Sequence, residues 1–193
     1  MLSEKLKDKH IILGSASPRR KFFLKELGLE FEVRLKEVDE AYPPALKASQ
    51  ITDYLAELKA APFLKELREQ DILITADTIV WLNQRAIGKP KNPEDAKKML
   101  ATLSGHTHEV ISSVAVTNQR QTLLINDTTR VSFKKLSADE IDYYINHFKP
   151  FDKAGSYGIQ EWIGYIGIEK IEGSYFNVMG FPVQKFYELM LKI

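Results

Sequence analysis

Two adjacent arginines follow a run of small residues near the start of the chain, after a short apolar strand predicted over His10–Leu13. The segment reads GSASPRR over residues 14–20. Its second serine and its proline suit the N-cap and the first position of a helix, whose N-terminal amides and dipole attract anions. Ser15, Arg19 and Arg20 are therefore candidate phosphate ligands, although a plain N-cap beside two solvated arginines fits the local pattern equally well.

Carboxylates and lysines elsewhere supply the charges that a phosphate ester or a metal ion needs. Asp77 directly follows Ile72–Ala76, an apolar segment that predicts a central strand, and ligand sites of α/β proteins gather at the carboxyl ends of strands. Such a carboxylate can hold Mg²⁺ or accept a proton from water, although an aspartate that caps a nearby amide explains Asp77 alone slightly better. Glu40, Lys59 and Lys89 are weaker candidates, because most side chains in such turns and helices are solvated.

A glycine-rich segment lies in the last quarter of the chain and reads PFDKAGSYGIQ over residues 150–160. Glycines allow a backbone to approach a ligand closely. The amide of Gln160, at the end of the segment, can hydrogen-bond to the edge of a nucleotide base. An ordinary structural turn is the alternative interpretation of the same residues.

The composition argues against several classes of site and partner. The chain has 27 basic and 26 acidic residues and a net charge of +1, so we expect neither a nucleic acid nor a membrane as partner. The absence of cysteine excludes disulfides, thiolate zinc sites and cysteine nucleophiles. No apolar run reaches the roughly 20 residues of a membrane-spanning helix, and the N-terminus does not resemble a signal peptide. We expect a cytoplasmic protein.

Strands and helices are interleaved without strict alternation, which predicts an α/β fold with a mixed, twisted sheet and flanking helices. The predicted strands cover residues 10–13, 31–35, 72–76 with an extended continuation over 79–82, 109–117, 122–134 and 163–171, the fourth and fifth forming a hairpin. The predicted helices begin at residues 18, 49, 92, 137 and 182. We expect residues 1–193 to form a single domain that has two lobes with a cleft between them.

Taken together, these segments resemble the Maf family of nucleotide pyrophosphatases. The matching motifs are LGSASPRR at 13–20, VDE at 38–40, LAELKA at 55–60, ADTIV at 76–80, GKP at 88–90, LSGHTH at 103–108, DKAGSYGIQ at 152–160 and GSYFNVMGFP at 173–182. Together they cover nearly the whole chain in order and are far more specific than any one motif. The residues before His10 lie outside the pattern.

The resemblance implies a fold like that of the inosine triphosphate pyrophosphatases, a homodimer, and hydrolysis of a nucleoside triphosphate to the monophosphate and pyrophosphate. By this resemblance Ser15, Arg19 and Arg20 would face the phosphates. Glu40 and Asp77 would hold a divalent cation, Mg²⁺ or Mn²⁺. Asp77 would also accept the proton of the attacking water.

The resemblance also implies roles for two lysines and for the residues that select the base. Lys59 and Lys89 would neutralise the charge of the triphosphate. The combination of Arg20, Thr78 and Gln160 resembles that of the subgroup that acts on dTTP and UTP.

Two other functions stay open: a nucleotide-binding regulator of cell division with little turnover, and a nucleic-acid-binding protein that uses the arginine pair. The retained charged residues disfavour the first, and the balanced net charge disfavours the second.

Overall fold

The structure is a computed structural model that describes residues 2–193. The strands are β1 (His10–Leu13), β2 (Glu32–Val33), β3 (Asp71–Leu82), β4 (Arg85–Ile87), β5 (Thr107–Thr117), β6 (Thr122–Phe133) and β7 (Ile168–Glu172). The helices are α1 (Leu2–Lys5), α2 (Pro18–Glu26), α3 (Ser49–Ala60), α4 (Pro93–Leu103), α5 (Ala138–Phe148), α6 (Trp162–Gly167), α7 (Tyr175–Val178) and α8 (Val183–Met190). Two 3₁₀ turns lie at Ala61–Glu66 and Ala154–Ser156. Across residues 2–193, no helix is both long and apolar enough to cross a membrane.

The strands form one mixed sheet in the order β2-β1-β3-β5-β6-β7, with β4 paired to β3 beside this path. Strand β1 runs parallel to β2 and to β3, whereas β4 is antiparallel to β3 and β7 is antiparallel to β6. Strands β5 and β6 are neighbours joined by a turn in which Asn118 N donates to Gln121 O at 3.0 Å. The predicted mixed sheet with helices and the predicted hairpin are thus confirmed.

The described residues divide into two compact units. The first comprises residues 2–77, Ser112–Asp127 and Gly180–Ile193, and the second comprises Thr78–Ile111 and Thr128–Met179. Strands β3, β5 and β6 each contribute residues to both units. The predicted single domain with a cleft between two lobes stays a prediction.

A cluster of buried apolar side chains in the first unit holds helix α3 against the sheet. This helix and the 3₁₀ turn after it pack against β1 and β3. The cluster consists of Ile12, Ala60, Phe63, Leu67 and Leu73, all buried. Burial of each large apolar side chain of this kind contributes about 1.5–3 kcal/mol. Because Lys59 directly precedes Ala60, this packing also fixes where Lys59 leaves the helix.

The second unit builds its core from α4, α5 and α6 with the strand segments of that unit. Helix α5 begins with a capping box, in which Glu140 N donates to Ser137 Oγ (3.2 Å) and Ser137 N donates to Glu140 Oε2 (2.8 Å). The helix then buries Ile141, Tyr144 and Ile145 at helical spacing. The capping box predicted from the sequence is therefore confirmed.

One predicted strand is largely wrong. The sequence predicted a strand over residues 163–171, but Trp162–Gly167 is helix α6, and only Ile168–Glu172 is a strand. A short apolar run cannot by itself distinguish a strand from a buried helix. Here the backbone of Gly164 packs so closely that a Cβ would lie 1.9 Å from the carbonyl oxygen of Ile159. Glycine permits this approach, and the segment closes into a helical turn.

Candidate functional site

The turn after β1 lies against β3 in the first unit. Gly14 N donates to Ile74 O at 2.8 Å, and a Cβ on Gly14 would lie 2.8 Å from Cγ2 of Thr75. The close approach therefore requires glycine at this position. Ser15 is buried next to it, and its Oγ accepts a hydrogen bond from Ser17 N at 3.3 Å. The small residues of this segment thus hold Ser15 close to β3.

Arg20 is held in place by hydrogen bonds through two of its nitrogens. Its Nη1 donates to Ser15 Oγ at 3.2 Å and to Ala76 O at 2.8 Å, and its Nε donates to Gly180 O at 3.2 Å. Burial lowers the pKa of Arg20 to about 10, against the opposing attraction of Asp77, so the guanidinium stays charged at neutral pH. A fixed cation of this kind stabilises a phosphate without reorganising when the phosphate binds.

Helix α2 begins at Pro18 as predicted, but Ser17 does not cap it, because the Ser17 side chain makes no capping hydrogen bond. Arg19 lies close enough to Arg20 for like-charge repulsion to contribute to the lowered pKa of Arg20. Two positive side chains in the first turn also oppose the helix dipole. The predicted role of Arg19 and Arg20 as phosphate ligands stays a prediction.

Three predicted residues from distant parts of the sequence meet at one point of the first unit. Lys59 Nζ lies 2.6 Å from Asp77 Oδ1 and 3.2 Å from Glu40 Oε1. The Glu40 side chain is 51% exposed, whereas that of Asp77 is only 10% exposed. We call Lys59, Asp77 and Glu40 the Lys59 cluster. The predicted grouping of Asp77 with Glu40 is therefore present, with Lys59 between the two carboxylates.

Asp77 lies within a strand and not at its end, which corrects the sequence-based expectation. The apolar pattern resumes after Asp77, and β3 continues to Leu82 because its last three residues pair with β4. Burial raises the pKa of Asp77, while the ion pair with Lys59 opposes this shift. A buried carboxylate with a raised pKa is a better proton acceptor than an exposed one near neutral pH.

The donor set of the Lys59 cluster fits a divalent cation. Carboxylate oxygens of Glu40 and Asp77 both reach the same ammonium group, so one cation can contact both side chains at once. Mg²⁺ prefers oxygen ligands and is typically bound by one or two carboxylates together with water and substrate phosphates. Within residues 2–193 no third acidic or histidine side chain joins them. Glu40 and Asp77 are therefore the residues that would hold the ion.

The remaining predicted residues lie in the second unit. Lys89 is exposed in the loop after β4, and the carbonyl of Gly88 accepts a hydrogen bond from Gly155 N at 3.0 Å. Gly155 has a φ of +68°, and a Cβ there would lie 2.8 Å from Cγ2 of Val80. This glycine therefore joins the loop of Lys89 to the segment over residues 152–160.

Gln160 ends that segment and carries an unpartnered acceptor. Its backbone oxygen accepts a hydrogen bond from Tyr165 Oη at 2.5 Å. Its Oε1 is buried and has no hydrogen-bond partner within residues 2–193, which is unfavourable by about 1–3 kcal/mol unless a ligand supplies a donor. Thr78 is half buried on β3, directly after Asp77.

A second lysine–carboxylate cluster supports the segment of Gln160, and it was not predicted. Lys153 Nζ lies 2.7 Å from Asp152 Oδ1 and 3.1 Å from Glu161 Oε1. Tyr144 Oη donates to Glu161 and accepts from Gly158 N at 3.0 Å. We call these five residues the Lys153 cluster. The sequence identified the segment that contains Asp152 and Lys153, but it gave no sign of Glu161 or of the Tyr144 hydroxyl, because a tyrosine in an apolar helical stripe more often indicates a core residue.

A model of the Maf family, described as Maf-like protein, matches residues 10–193. This chain belongs to the Maf family. The predicted membership is thus confirmed, and the match excludes the residues before His10, as the motifs had indicated. Every residue of the turn after β1 and of both lysine–carboxylate clusters lies inside the matched range.

Several Maf-family relatives match over nearly their full length. A dTTP/UTP pyrophosphatase of Flavobacterium johnsoniae is 56% identical over 190 residues, which cover 98% of this chain and 98% of that protein. A protein of the same name from Flavobacterium psychrophilum is 54% identical and covers 99% of this chain and 98% of its own length. Another, from Phocaeicola vulgatus, is 51% identical and covers 98% of this chain and 99% of its own length. A solved dITP/XTP pyrophosphatase from Mycobacterium abscessus aligns at 15% identity with a TM-score of 0.45, over 93% of this chain and 92% of that one. Family membership rests on the family model and on the full-length relatives.

Proposed function

We propose that this Maf-family chain is a nucleoside triphosphate pyrophosphatase that hydrolyses dTTP and UTP to the monophosphate and pyrophosphate. The observation that carries the proposal is the set of charges in the first unit, where the fixed guanidinium of Arg20 accompanies the buried Asp77 of the Lys59 cluster. Curated relatives named dTTP/UTP pyrophosphatase, 45–56% identical over nearly the whole chain, support the same reaction.

Arg20 would bind the phosphates as a preset positive charge. Its Nη1 and Nε are already held by Ser15, Ala76 and Gly180, so binding a phosphate would not require a new side-chain conformation. Arg19 would add charge at the same helix start. Interactions of this kind stabilise the charge that develops on the oxygens of a transferred phosphoryl group.

Asp77 would act as the proton acceptor. A water oxygen attacks the α-phosphorus, the proton of that water passes to an Asp77 oxygen, and the bond from the α-phosphorus to the bridging oxygen breaks so that pyrophosphate leaves. The raised pKa of Asp77 suits it to accept this proton. Lys59 would limit the rise by keeping a positive charge 2.6 Å from the carboxylate.

Glu40 and Asp77 would hold Mg²⁺ or Mn²⁺. When bound, such an ion neutralises charge on the phosphate oxygens and orients the substrate. Lys59 occupies the space between the two carboxylates, so its ammonium would give up at least one of these contacts and turn to the triphosphate. Lys89, exposed in the second unit, would contribute a further positive charge.

Base preference would depend on Arg20, Thr78 and Gln160. The support within this chain is the buried and unpartnered Oε1 of Gln160, an acceptor suited to a ring N–H such as that of uracil or thymine. Cytosine lacks an N–H at that ring position and would leave the acceptor unpaired. An unpaired buried polar group is the arrangement that rejects a wrong substrate most strongly.

The test is pyrophosphate release from dTTP, UTP, CTP, GTP and ATP, each with Mg²⁺, Mn²⁺ or EDTA. We expect release that depends on the metal and favours dTTP and UTP. Release from other nucleotides would keep the reaction and contradict the base preference. Tight nucleotide binding without release under either metal would instead support the nucleotide-binding regulator.

The proposal extends to assembly and location. The Maf resemblance implies a homodimer, and the composition implies a cytoplasmic enzyme with no nucleic-acid or membrane partner. Light scattering of the purified protein would measure the mass directly, and a value near 22.1 kDa, the mass of one chain, would contradict the homodimer.

A further inference from the structure

Thr75 is a buried side chain that contacts two separate segments of the candidate site. It is fully buried on β3, two residues before Asp77. Because side chains alternate along a strand, Thr75 and Asp77 point to the same face. The reaction described above assigns Thr75 no role, yet its two branches reach different neighbours in the first unit.

The hydroxyl branch contacts the helix that carries Lys59. Thr75 Oγ1 donates to the carbonyl oxygen of Ala56 in α3 at 2.7 Å. Ala56 and Lys59 are three residues apart and are therefore neighbours on the helix surface. The hydrogen bond thus fixes this part of α3 against β3, where Lys59 Nζ reaches Asp77 Oδ1 at 2.6 Å.

The methyl branch packs on the turn that carries Ser15 and leads into helix α2, which carries Arg20. A Cβ on Gly14 would lie 2.8 Å from Thr75 Cγ2. The other atoms near that position, Ile74 O and Leu73 Cδ1, would both be 3.5 Å away, which is ordinary contact. Thr75 is therefore the side chain that limits the space at Gly14.

We propose that Thr75 is a positioning residue that sets the phosphate-binding turn and the Lys59 helix in register with Asp77. The hydroxyl and methyl share one Cβ, and β-branched side chains are stiff about χ1. A displacement of either neighbour is therefore transmitted to the other through this one side chain. The proposal rests on the proposed pyrophosphatase function, in which Arg20, Lys59 and Asp77 act together.

Two substitutions separate the branches. Thr75→Val keeps the shape and removes the donor to Ala56, and we expect kcat to fall about 10-fold with KM changed less than about 3-fold, because a misplacement of about 1 Å can lower a rate about 100-fold. Thr75→Ser keeps the donor and removes the methyl that packs on the turn, so it should lower kcat less than Thr75→Val does, by about 3-fold. Thr117→Val is the matched control, since Thr117 is a buried threonine of the same unit whose hydroxyl is 3.1 Å from that of Thr122.

A double substitution tests the methyl branch. Gly14→Ala should lower kcat by about 10-fold or more, since the added Cβ meets Thr75 Cγ2 and pushes the turn away from β3. In the Thr75→Ser background the opposing methyl is absent, so Gly14→Ala should be tolerated. Such non-additivity is expected for residues in contact but not for distant, independent sites, and purely additive losses would contradict the proposed packing.

Crystal structures of the wild type and of Thr75→Val distinguish this proposal from the proposed function. We expect the Lys59 Nζ–Asp77 Oδ1 distance to lengthen by more than about 0.5 Å, the tolerance of a catalytic arrangement. If the wild type releases no pyrophosphate, the proposed function fails and the structures still decide the role of Thr75. An unchanged distance, an unchanged kcat in Thr75→Val, or an equal loss in Thr117→Val would overturn the positioning role.

Discussion

The two units each contain a lysine between two carboxylates, but they use the arrangement differently. In the Lys59 cluster, the carboxylate of Asp77 has Lys59 as its one hydrogen-bond donor within residues 2–193. In the Lys153 cluster, Glu161 is contacted by Lys153 and also accepts from the hydroxyl of Tyr144. Glu161 therefore has two donors on its carboxylate, one on each oxygen, whereas the contact of Asp77 with Lys59 leaves its second oxygen available for a ligand.

Residue types alone therefore do not separate a reactive site from a structural one. A carboxylate that already accepts several hydrogen bonds stabilises the fold, and its replacement is expected to affect stability first. A buried carboxylate with one partner can exchange that partner for a metal ion or a proton. The Lys59 cluster is thus open to a ligand, and the Lys153 cluster is closed.

The largest effect should follow from Asp77→Asn. We expect kcat to fall by at least about 100-fold and up to about 10,000-fold, because the amide cannot accept the proton of the attacking water. The matched control is Asp71→Asn, which changes a buried carboxylate at the start of the same strand, bound there by His10 and by Arg68 N. Asp71→Asn should alter stability with little change in kcat. An unchanged rate for Asp77→Asn would remove Asp77 from the mechanism.

Sequence order predicted the parts of the first unit that depend on neighbouring residues. The strand, turn and helix around GSASPRR follow from local preferences, and the structure contains them at His10–Leu13 and Pro18–Glu26. The position of Lys59 between Glu40 and Asp77 depends on packing between residues that are at least 18 positions apart in the sequence. No local pattern encodes such packing. The motif resemblance predicted that these residues act together, but not that Lys59 bridges the carboxylates.

The missed features share a physical reason. Helix α6 and the continuation of β3 past Asp77 both depend on contacts outside the segment itself, those of Gly164 with Ile159 and of Val80–Leu82 with β4. Tyr144 also fits an apolar stripe, so its hydroxyl partner Glu161 could not be inferred from α5 alone. In each case the local pattern was compatible with two structures, and contacts with other segments selected one.

The next largest effect should be on stability. The same substitution, glutamate to glutamine, should affect stability differently in the two clusters. Glu161→Gln should lower the free energy of unfolding by about 3 kcal/mol, because it leaves Lys153 buried without that charge. Glu40→Gln should lower it by less than about 1 kcal/mol, since the Glu40 side chain is half exposed, while lowering kcat. Denaturant unfolding of both variants measures the difference. Equal losses of stability would end the distinction between an open and a closed cluster.

His108, in the second unit, has a buried ring nitrogen that lacks a hydrogen-bond partner within residues 2–193. Its Nε2 lies 2.7 Å from Tyr157 Oη, but its Nδ1 is buried with no partner within residues 2–193. Burial lowers the pKa of His108 to about 4. Between that value and the unfolded pKa near 6.5, the unfolded chain binds a proton and the folded chain does not. Stability should therefore fall as the pH decreases through this window.

Because of His108, we expect the free energy of unfolding to be about 2 kcal/mol lower at pH 5 than at pH 7.5. His108→Gln should remove this part of the pH dependence, whatever it does to stability at pH 7.5. Denaturant unfolding at both pH values measures the slope. The exposed His147 supplies the control, and His147→Gln should retain the wild-type slope. A wild-type slope in His108→Gln as well would show that the acid sensitivity arises elsewhere.

The smallest effect compares two serines that the sequence identifies equally as helix N-caps. Ser137 accepts from Glu140 N and completes a capping box, whereas the side chain of Ser17 makes no capping bond. Ser137→Ala should therefore lower the free energy of unfolding by about 1 kcal/mol, and Ser17→Ala by less than about 0.5 kcal/mol. Thermal or denaturant unfolding without nucleotide measures both. Equal losses would mean that α2 in the first unit is capped as fully as α5, and that its N-terminus is no more open to a phosphate than any other.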